Sequence, residues 1–430
     1  MLKITFIGCV VLMATCGWGQ EPINPADLGS APLTREDEAR SNTVRYGLST
    51  SAAFDDNAQG FAGQSNITNS IQPQLELSLS RPRTKARIFY GPSYTFSTNV
   101  ASQRDTSQSA GFDSQYLFSR RLSLTVRAAY VDTSNPVQSV DAAERLPQLG
   151  VLERANDVFV GANVHQVSEQ VSSDLVYRTS QYTSVGIGGS FSNAIYRTIA
   201  EQTNAINESL RSQAWAAHMF VGHRFSAAYS VGLTYSAQNF SSQQALATTL
   251  THSALGYVTI SLSPHVQLSM FAGPELSKIF GTATGQSGIS YNATPTTLSY
   301  GSTLHWQGER NGLMASFVQR VSDSVQSGTG AVKARTVAFR ADRQLTKRFG
   351  LNLFGNYSSN TALDSTAVNS TPDSVTGGIG LTRPITPAIA FGISAFHQEF
   401  LSPISGVLGS SKHNLVSASV SYSFVRPIGR

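Results

Sequence analysis

Residues 415–424 read Leu-Val-Ser-Ala-Ser-Val-Ser-Tyr-Ser-Phe, so apolar residues and serines alternate without interruption. A period of two places the apolar side chains on one face of a β-strand and the hydroxyl groups on the other. The apolar face consists of small residues followed by two aromatics, Tyr422 and Phe424. Such a face is typical of a strand that contacts lipid, whereas a soluble sheet usually buries larger residues. The stretch therefore predicts a membrane-facing β-strand.

The same alternation recurs from Thr43 to Val425 and predicts eighteen strands. The gaps between these strands are alternately short and long, and the long gaps are rich in Ser, Asn, Gly and Asp. The short gaps are 81–83, 119–120, 179–181, 223–226, 263–264, 308–311, 344–347 and 384–387. Short turns at one end and long loops at the other predict a transmembrane barrel with both termini on the periplasmic side. A count of sixteen stays open, because segments 105–118, 165–178 and 331–343 alternate less regularly.

Residues 43–425 resemble a bacterial outer-membrane β-barrel, whose last strand typically ends in an aromatic residue, as Phe424 does here. The expected fold is an all-β, antiparallel, up-and-down barrel that Tyr422 and Phe424 help to close. The resemblance implies contact with outer-membrane lipid and insertion by the barrel-assembly machinery. In this chain six residues follow Phe424, so the aromatic is not the final residue.

The remaining segments predict a secreted protein. Residues 1–19 predict a signal peptide, because Lys3 precedes an apolar run. Residues 20–42 predict a polar periplasmic linker, with a small plug or partner-binding tail as the alternative, and 426–430 predict a short tail. Both cysteines lie in the leader, so we expect no disulfide or thiol in the mature chain; lipidation of Cys16 is the alternative.

The composition excludes several classes. Of the 430 residues, 13% are charged and 40% are hydrophobic, which fits neither a disordered chain nor a typical cytosolic enzyme. No segment outside the leader has the roughly 18 apolar residues that a membrane helix needs. A net charge of +5 over a chain of this size does not predict binding to nucleic acid.

Aromatic residues concentrate near the ends of the predicted strands and indicate two girdles at the lipid interfaces. They are Tyr116, Phe118, Tyr177, Trp306, Phe349 and Phe424 toward the turns, and Phe54, Tyr94, Phe96, Tyr130, Phe280, Phe396 and Phe400 toward the loops.

Signals for catalysis are absent from the sequence. The eight histidines have no metal-ligand spacing, and there is neither a nucleophile elbow nor a phosphate-binding loop. We therefore expect no enzyme activity, no metal and no cofactor.

Charged residues on the predicted inner faces are candidates for lining a pore and setting its field. They are Glu76, Arg87, Arg127, Asp174, Arg178, Arg340 and Asp342. The alternative is that these residues only pair with one another. The longest predicted loop, 134–163, either folds into the lumen as a constriction or lies outside as a lid. Its candidate constriction residues are Glu144, Arg145, Glu153, Arg154 and Asp157.

The first strand and its loop, residues 45–57, read Arg-Tyr-Gly-Leu-Ser-Thr-Ser-Ala-Ala-Phe-Asp-Asp-Asn. This stretch resembles the start of porin-2-like β-barrels associated with exopolysaccharide or surface-sorting loci. The expected function is an outer-membrane channel for passive diffusion of small polar solutes. One alternative is a barrel that serves exopolysaccharide export or surface anchoring, and another is a soluble secreted β-protein.

Overall fold

The computed structural model describes residues 42–56, 65–97, 104–133, 164–198, 210–242, 247–282, 290–324, 330–363, 373–401 and 412–428, and almost all of them form β-strands. In chain order the strands are β1 (Thr43–Asp55), β2 (Asn66–Arg81), β3 (Thr84–Ser97), β4 (Arg104–Leu117), β5 (Leu122–Thr133), β6 (Val164–Arg178), β7 (Thr183–Thr198), β8 (Leu210–Arg224), β9 (Tyr229–Ser242), β10 (Ala247–Ser263), β11 (Val266–Thr282), β12 (Ser290–Ala293), β13 (Thr296–Gln307), β14 (Asn311–Ser324), β15 (Gly330–Thr346), β16 (Phe349–Ala362), β17 (Ser374–Pro384), β18 (Ile389–Phe400) and β19 (Lys412–Pro427).

The strands form one closed antiparallel sheet. Each strand pairs with the next along the chain, and β19 pairs with β1. Strands β12 and β13 both pair with β11, so they are two parts of a single wall strand, interrupted at Pro295. Proline has no N–H to give to a ladder, although its carbonyl still accepts from the Ser277 N–H at 3.0 Å. The wall therefore contains eighteen strands, which confirms the predicted count and excludes sixteen.

The three less regular segments are all strands. The segments at 105–118, 165–178 and 331–343 correspond to β4, β6 and β15. Their faces are mixed because polar side chains also occur on the outer face, for example Glu169 of β6, which pairs with Tyr130 of β5.

Short turns connect the strands at one end of the barrel, and several depend on a hydroxyl side chain. Ser119 Oγ accepts hydrogen bonds from the backbone N–H groups of Arg121 and Leu122, at 3.1 and 3.0 Å. Ser180 and Thr386 occupy the same position in their turns and accept in the same way. A Ser or Thr that bonds the backbone two and three residues ahead stabilises a tight reversal.

The last strand extends past the predicted end of the barrel at residue 425. Tyr422 lies opposite Leu48 and Phe424 lies opposite Tyr46, and the ladder continues to Pro427 opposite Thr43. Beyond it, the Ile428 N–H donates to the Asn42 carbonyl at 2.7 Å. Residues 426 and 427 therefore also belong to the closing strand.

The two faces of the wall differ in chemistry. One face carries large apolar side chains that are exposed, including Tyr46, Leu48, Ile187, Met219, Leu233, Ile379 and Val420. The opposite face carries mainly hydroxyl, amide and glycine residues, such as Ser49 and Ser51 opposite Gln72 and Ser70. The described part of the chain contains no helix that is long and apolar enough to cross a membrane.

Strand β15 identifies the inner face, because it approaches two strands from another part of the wall. It neighbours neither β9 nor β10 in the sheet, yet its Cα atoms come within 8 Å of both. Val332 and Ala334, which are buried, lie on the face of β15 opposite the exposed Val337 and Phe339. The approach divides the interior into a narrow sector, bounded by β9–β15, and a wide sector, bounded by β16–β19 and β1–β8.

Most aromatic side chains of the predicted girdles lie on the outer face, but Phe396 does not. Phe396 lies opposite Gly378 and near Phe354 on the inner face, with 6.2 Å between the two ring centroids. The prediction for Phe396 was therefore wrong. Position near a strand end does not determine which face a residue occupies, and the parity of β18 turns this ring inward.

Candidate functional site

A row of charged side chains crosses the inner face of the wide sector. Each of β1–β6 contributes one charged residue, and β8 contributes a histidine. The residue of β7 that lies between the last two members of the row is a glycine. The members of this charged row are Arg45, Glu76, Arg87, Asp113, Arg127, Asp174 and His218. The charges of the first six alternate in sign from one strand to the next.

The sheet register brings these residues together. Arg45 lies directly opposite Glu76, and Asp113 lies directly opposite both Arg87 and Arg127. Directly opposite residues have Cβ atoms about 5 Å apart and point to the same face. The register therefore holds Arg45 within reach of Glu76, and it holds Asp113 within reach of both Arg87 and Arg127.

Glu76 holds one end of the row. Its Oε2 accepts a hydrogen bond from Arg87 Nη2 at 3.0 Å, and Arg45 Nη1 lies 3.9 Å from the same oxygen. Asp113 occupies the middle of the row, where both Arg87 and Arg127 interact with it electrostatically. One carboxylate between two guanidinium groups keeps them on the wall despite their mutual repulsion.

The other end of the row is a hydrogen bond that spans a whole strand. Asp174 of β6 and His218 of β8 both lie opposite Gly188 of β7. His218 Nε2 donates to Asp174 Oδ1 at 2.9 Å across this glycine. A Cβ atom on Gly188 would overlap both atoms, so the absence of a side chain is what allows the contact.

The charged row is neutral in sum but unequal in exposure. Three arginines face three carboxylates, and His218 is 3% exposed at its side chain. The side chains of Arg45 and Arg87 are 41% and 40% exposed, whereas those of Glu76 and Asp174 are 19% and 17% exposed. The guanidinium groups are therefore the parts of the row that face the lumen.

The other predicted inner-face charges lie apart from this row. Arg340 and Asp342 share one face of β15 and form an ion pair with Arg340 Nε 3.0 Å from Asp342 Oδ2. Arg178 lies on the same face as Asp174, but four residues nearer the short turns, where it is exposed. The predicted constriction residues in 134–163 lie outside the described residues.

Arg45, Asp113 and His218 are not among the charged residues predicted to line the pore. The alternation of β1 already places Arg45 on the face of Gly47 and Ser49, so its odd-numbered position in the strand was the available signal. Parity alone does not show that these residues form one row, because the row depends on the stagger between neighbouring strands.

The described residues offer no site for a metal. No group of three or more His, Cys, Asp or Glu side chains among them could hold an ion. The two other close histidine–aspartate pairs, His413 with Asp55 at 2.6 Å and His165 with Asp132 at 2.5 Å, each bond one histidine to one carboxylate.

A closed wall of eighteen strands with an exposed apolar outer face defines the class of protein. Closure gives every wall strand a neighbour on both sides, and the exposed apolar face suits contact with hydrocarbon. The chain is an antiparallel β-barrel of the bacterial outer membrane. This outer face is incompatible with the alternative of a soluble secreted protein, because a continuous apolar surface of this size aggregates in water.

Solved structures with a similar fold are outer-membrane transport barrels. The siderophore receptor PiuA from Acinetobacter baumannii matches with a TM-score of 0.48 and 8% identity, over 88% of this chain and 82% of that chain. The ferric-catecholate import receptor Fiu from E. coli K12 matches with a TM-score of 0.46 and 8% identity, over 90% of this chain and 82% of that chain.

OpdK from Pseudomonas aeruginosa, solved with vanillate, matches with a TM-score of 0.42 and 8% identity, over 89% of this chain and 99% of that chain. At these identities the likeness concerns the fold alone. No protein-family model and no curated protein matches the chain.

Proposed function

We propose that the barrel is a porin-type channel for passive diffusion of small polar solutes, and that the wide sector is its path. The observation that supports this proposal is the contrast between the two sectors. In the wide sector the hydroxyl-bearing inner faces of β1 and β19 are only half-buried, for example at Ser49, Ser51, Ser417 and Ser419. Solute and water therefore have access to this wall.

The narrow sector has no comparable access. Its inner-face residues Thr249, Thr251, Ser277 and Ser299 are fully buried. Thr251 and Ser277 hydrogen-bond each other at 3.1 Å, and the Ser299 hydroxyl donates to the Glu275 carboxylate. A sector whose inner face is inaccessible to water stabilises the wall. Conduction of solutes then takes place through the wide sector.

The chemistry of the wide wall favours neutral polar solutes. Serine hydroxyl groups pair across strands there, for example Ser51 with Ser70 and Ser394 with Ser417, both at 2.6 Å. Hydroxyl and amide groups exchange hydrogen bonds with water or a sugar at little net cost. The charged row adds no net charge, so we expect weak selectivity between small ions.

Single-channel recording in planar bilayers tests the proposal. Purified protein should give stepwise conductance, with a reversal potential close to zero in a KCl gradient. A charge 5 Å from an ion contributes about 0.8 kcal/mol in water, which is roughly a fourfold change in local ion concentration. The E76Q/D113N double variant should therefore shift the channel toward anions, and the matched R87Q/R127Q variant should shift it toward cations.

Two results would contradict the proposal. The first is the absence of stepwise conductance from protein whose electrophoretic mobility still changes on boiling, as that of a folded barrel does. The second is equal reversal potentials in the two variants, which would place the ion path away from the charged row. Loss of surface polysaccharide in a deletion strain, without any change in solute uptake, would instead support the export alternative.

A further inference from the structure

A ring of basic side chains surrounds the periplasmic end of the barrel. The eight short turns contain six Lys or Arg residues and a single acidic residue, Glu309, and six more arginines lie in the adjoining strand ends. We call these twelve residues the basic rim: Arg81, Arg83, Arg120, Arg121, Arg178, Arg224, Arg310, Arg343, Lys347, Arg348, Arg383 and Arg426. All twelve are exposed.

The basic rim is not paired with carboxylates of the described residues. Among the residues that the structure describes, no member of the rim forms an ion pair within 4.0 Å. The charged row of the lumen, in contrast, matches each arginine with a carboxylate. Twelve positive charges that no described carboxylate pairs with can attract anions from outside the chain.

Four members of the rim point toward lipid. Arg81, Arg343, Arg383 and Arg426 lie on the outer faces of β2, β15, β17 and β19. Arg426 follows Phe424 by two residues, and the Arg383 guanidinium lies 5.2 Å from the centre of the Phe349 ring. These arginines therefore lie beside the aromatic girdle, at the depth where their stems contact hydrocarbon and their heads reach the headgroups.

Apolar side chains occur between the charges of the rim. Tyr182, Phe225, Leu262, Leu345 and Ile385 lie in the turns or the strand ends beside them and are 45 to 64% exposed. A mixture of apolar and basic groups is characteristic of surfaces at a membrane interface. Basic residues of the rim occur at seven of the eight short turns and at the end of β19, which matches an annulus of lipid better than one compact soluble partner.

We propose that the basic rim binds the anionic headgroups of phospholipids in the periplasmic leaflet of the outer membrane. The four outward arginines contact the lipid phosphates directly, and the turn residues add to the surrounding potential. Long-range attraction to the remaining rim charges falls off within a Debye length, about 10 Å at 0.1 M salt. Binding is thus selective for anionic over zwitterionic phospholipid and is sensitive to salt.

Electron paramagnetic resonance of spin-labelled lipids tests this proposal with the full-length barrel reconstituted in phosphatidylcholine vesicles. The motionally restricted fraction of labelled phosphatidylglycerol, compared with labelled phosphatidylcholine, gives the relative association constant. At low salt we expect about a fivefold preference for phosphatidylglycerol, which corresponds to about 1 kcal/mol for one basic side chain at the membrane surface. The preference should approach one in 1 M salt.

Two variants with the same loss of charge separate the contributions. R81Q/R343Q/R383Q/R426Q should lose the preference, whereas R83Q/R120Q/R310Q/R348Q should retain at least half of it. Unchanged mobility of unboiled protein on gels shows that each variant is folded. The proposal is overturned if the wild-type barrel shows no preference. It is also overturned if the turn variant loses the preference and the outward variant keeps it, because the four outward arginines would then not be the groups that contact the lipid phosphates.

Discussion

Glycines on the wall make room for side chains of the neighbouring strands. Phe89 covers Gly111, Phe220 covers Gly186 and Phe271 covers Gly301, and each of these aromatics lies directly opposite its glycine. An aromatic ring laid over a glycine recovers the contacts that the missing side chain would have made. Gly188 follows the same principle with polar partners, because the bond between Asp174 and His218 crosses it.

We expect Gly188→Ala to break this bond. The added methyl group would displace Asp174 or His218, and His218 is buried, so at least one polar group would lose its partner without gaining water. The expected loss of stability is about 1 to 3 kcal/mol, measured by urea unfolding of the reconstituted barrel. Gly256→Ala is the control, because the nearest atom to its added Cβ is the Ala272 carbonyl oxygen at 3.8 Å. Equal stability of the two variants would contradict the role of Gly188.

At the scale of elements, the seam between β1 and β19 is held by side chains as well as by the ladder. At the end of the seam next to the long loops, Asp55 Oδ1 and His413 Nε2 form a hydrogen bond of 2.6 Å. Asp56 accepts from the backbone N–H of Asn414 at 2.7 Å and from its side chain at 2.5 Å. The Phe-Asp-Asp segment that carried the sequence resemblance thus connects the first strand to the last.

The seam should depend on pH through Asp56. Partial burial raises the pKa of this carboxyl, but the hydrogen bonds from Asn414 outweigh the effect, so its pKa lies below the usual 3.8. A depressed pKa stabilises the folded state above the unfolded pKa, and the stabilisation is lost as pH falls through the folded value. Asp56→Ala should lower the urea midpoint at pH 7, and the difference from wild type should shrink below about pH 4. A difference that is independent of pH would show that the charge of Asp56 does not matter.

Glu275 performs a similar task where another pair of strands separates. Within the described residues the ladder between β13 and β14 ends at Tyr300 and Gln319. Beyond that point the buried Glu275 carboxylate of β11 accepts from the Ser299 hydroxyl and from the Val321 N–H, the latter at 3.0 Å. A side chain thus satisfies a backbone donor that the sheet leaves unpaired.

At the scale of the whole molecule, the barrel is not an open cylinder. The approach of β15 to β9 and β10 buries Val332, Leu255 and Tyr257 on inner faces that would otherwise contact water. The favourable free energy of burying these apolar groups offsets the cost of curving the wall to bring distant strands together. The wide sector keeps the accessible hydroxyl-rich wall.

A carboxylate introduced into each sector should distinguish them. Val332→Asp places an unpaired charge where the side chain is 1% exposed, so we expect a loss of at least about 3 kcal/mol or a failure to fold. Ser417→Asp places the same charge on the half-buried wide wall and should leave the barrel folded, with a shift toward cations in bilayer recordings. Heat-modifiable gel mobility and reversal potential are the two measurements. Normal folding of the Val332→Asp variant would show that the narrow sector admits water.

The sequence by itself determined the faces of the strands and their short turns, and it limited the number of strands to eighteen or sixteen. These features follow from a period of two and from local turn chemistry, both of which act within a few residues of chain, as in residues 415–424. The tertiary structure alone decided the stagger between strands, and hence the charged row, the contacts of Asp55 and Asp56 and the division into two sectors. Each of these depends on pairing between residues far apart in the chain, up to Thr43 with Pro427, and no local pattern encodes such a register.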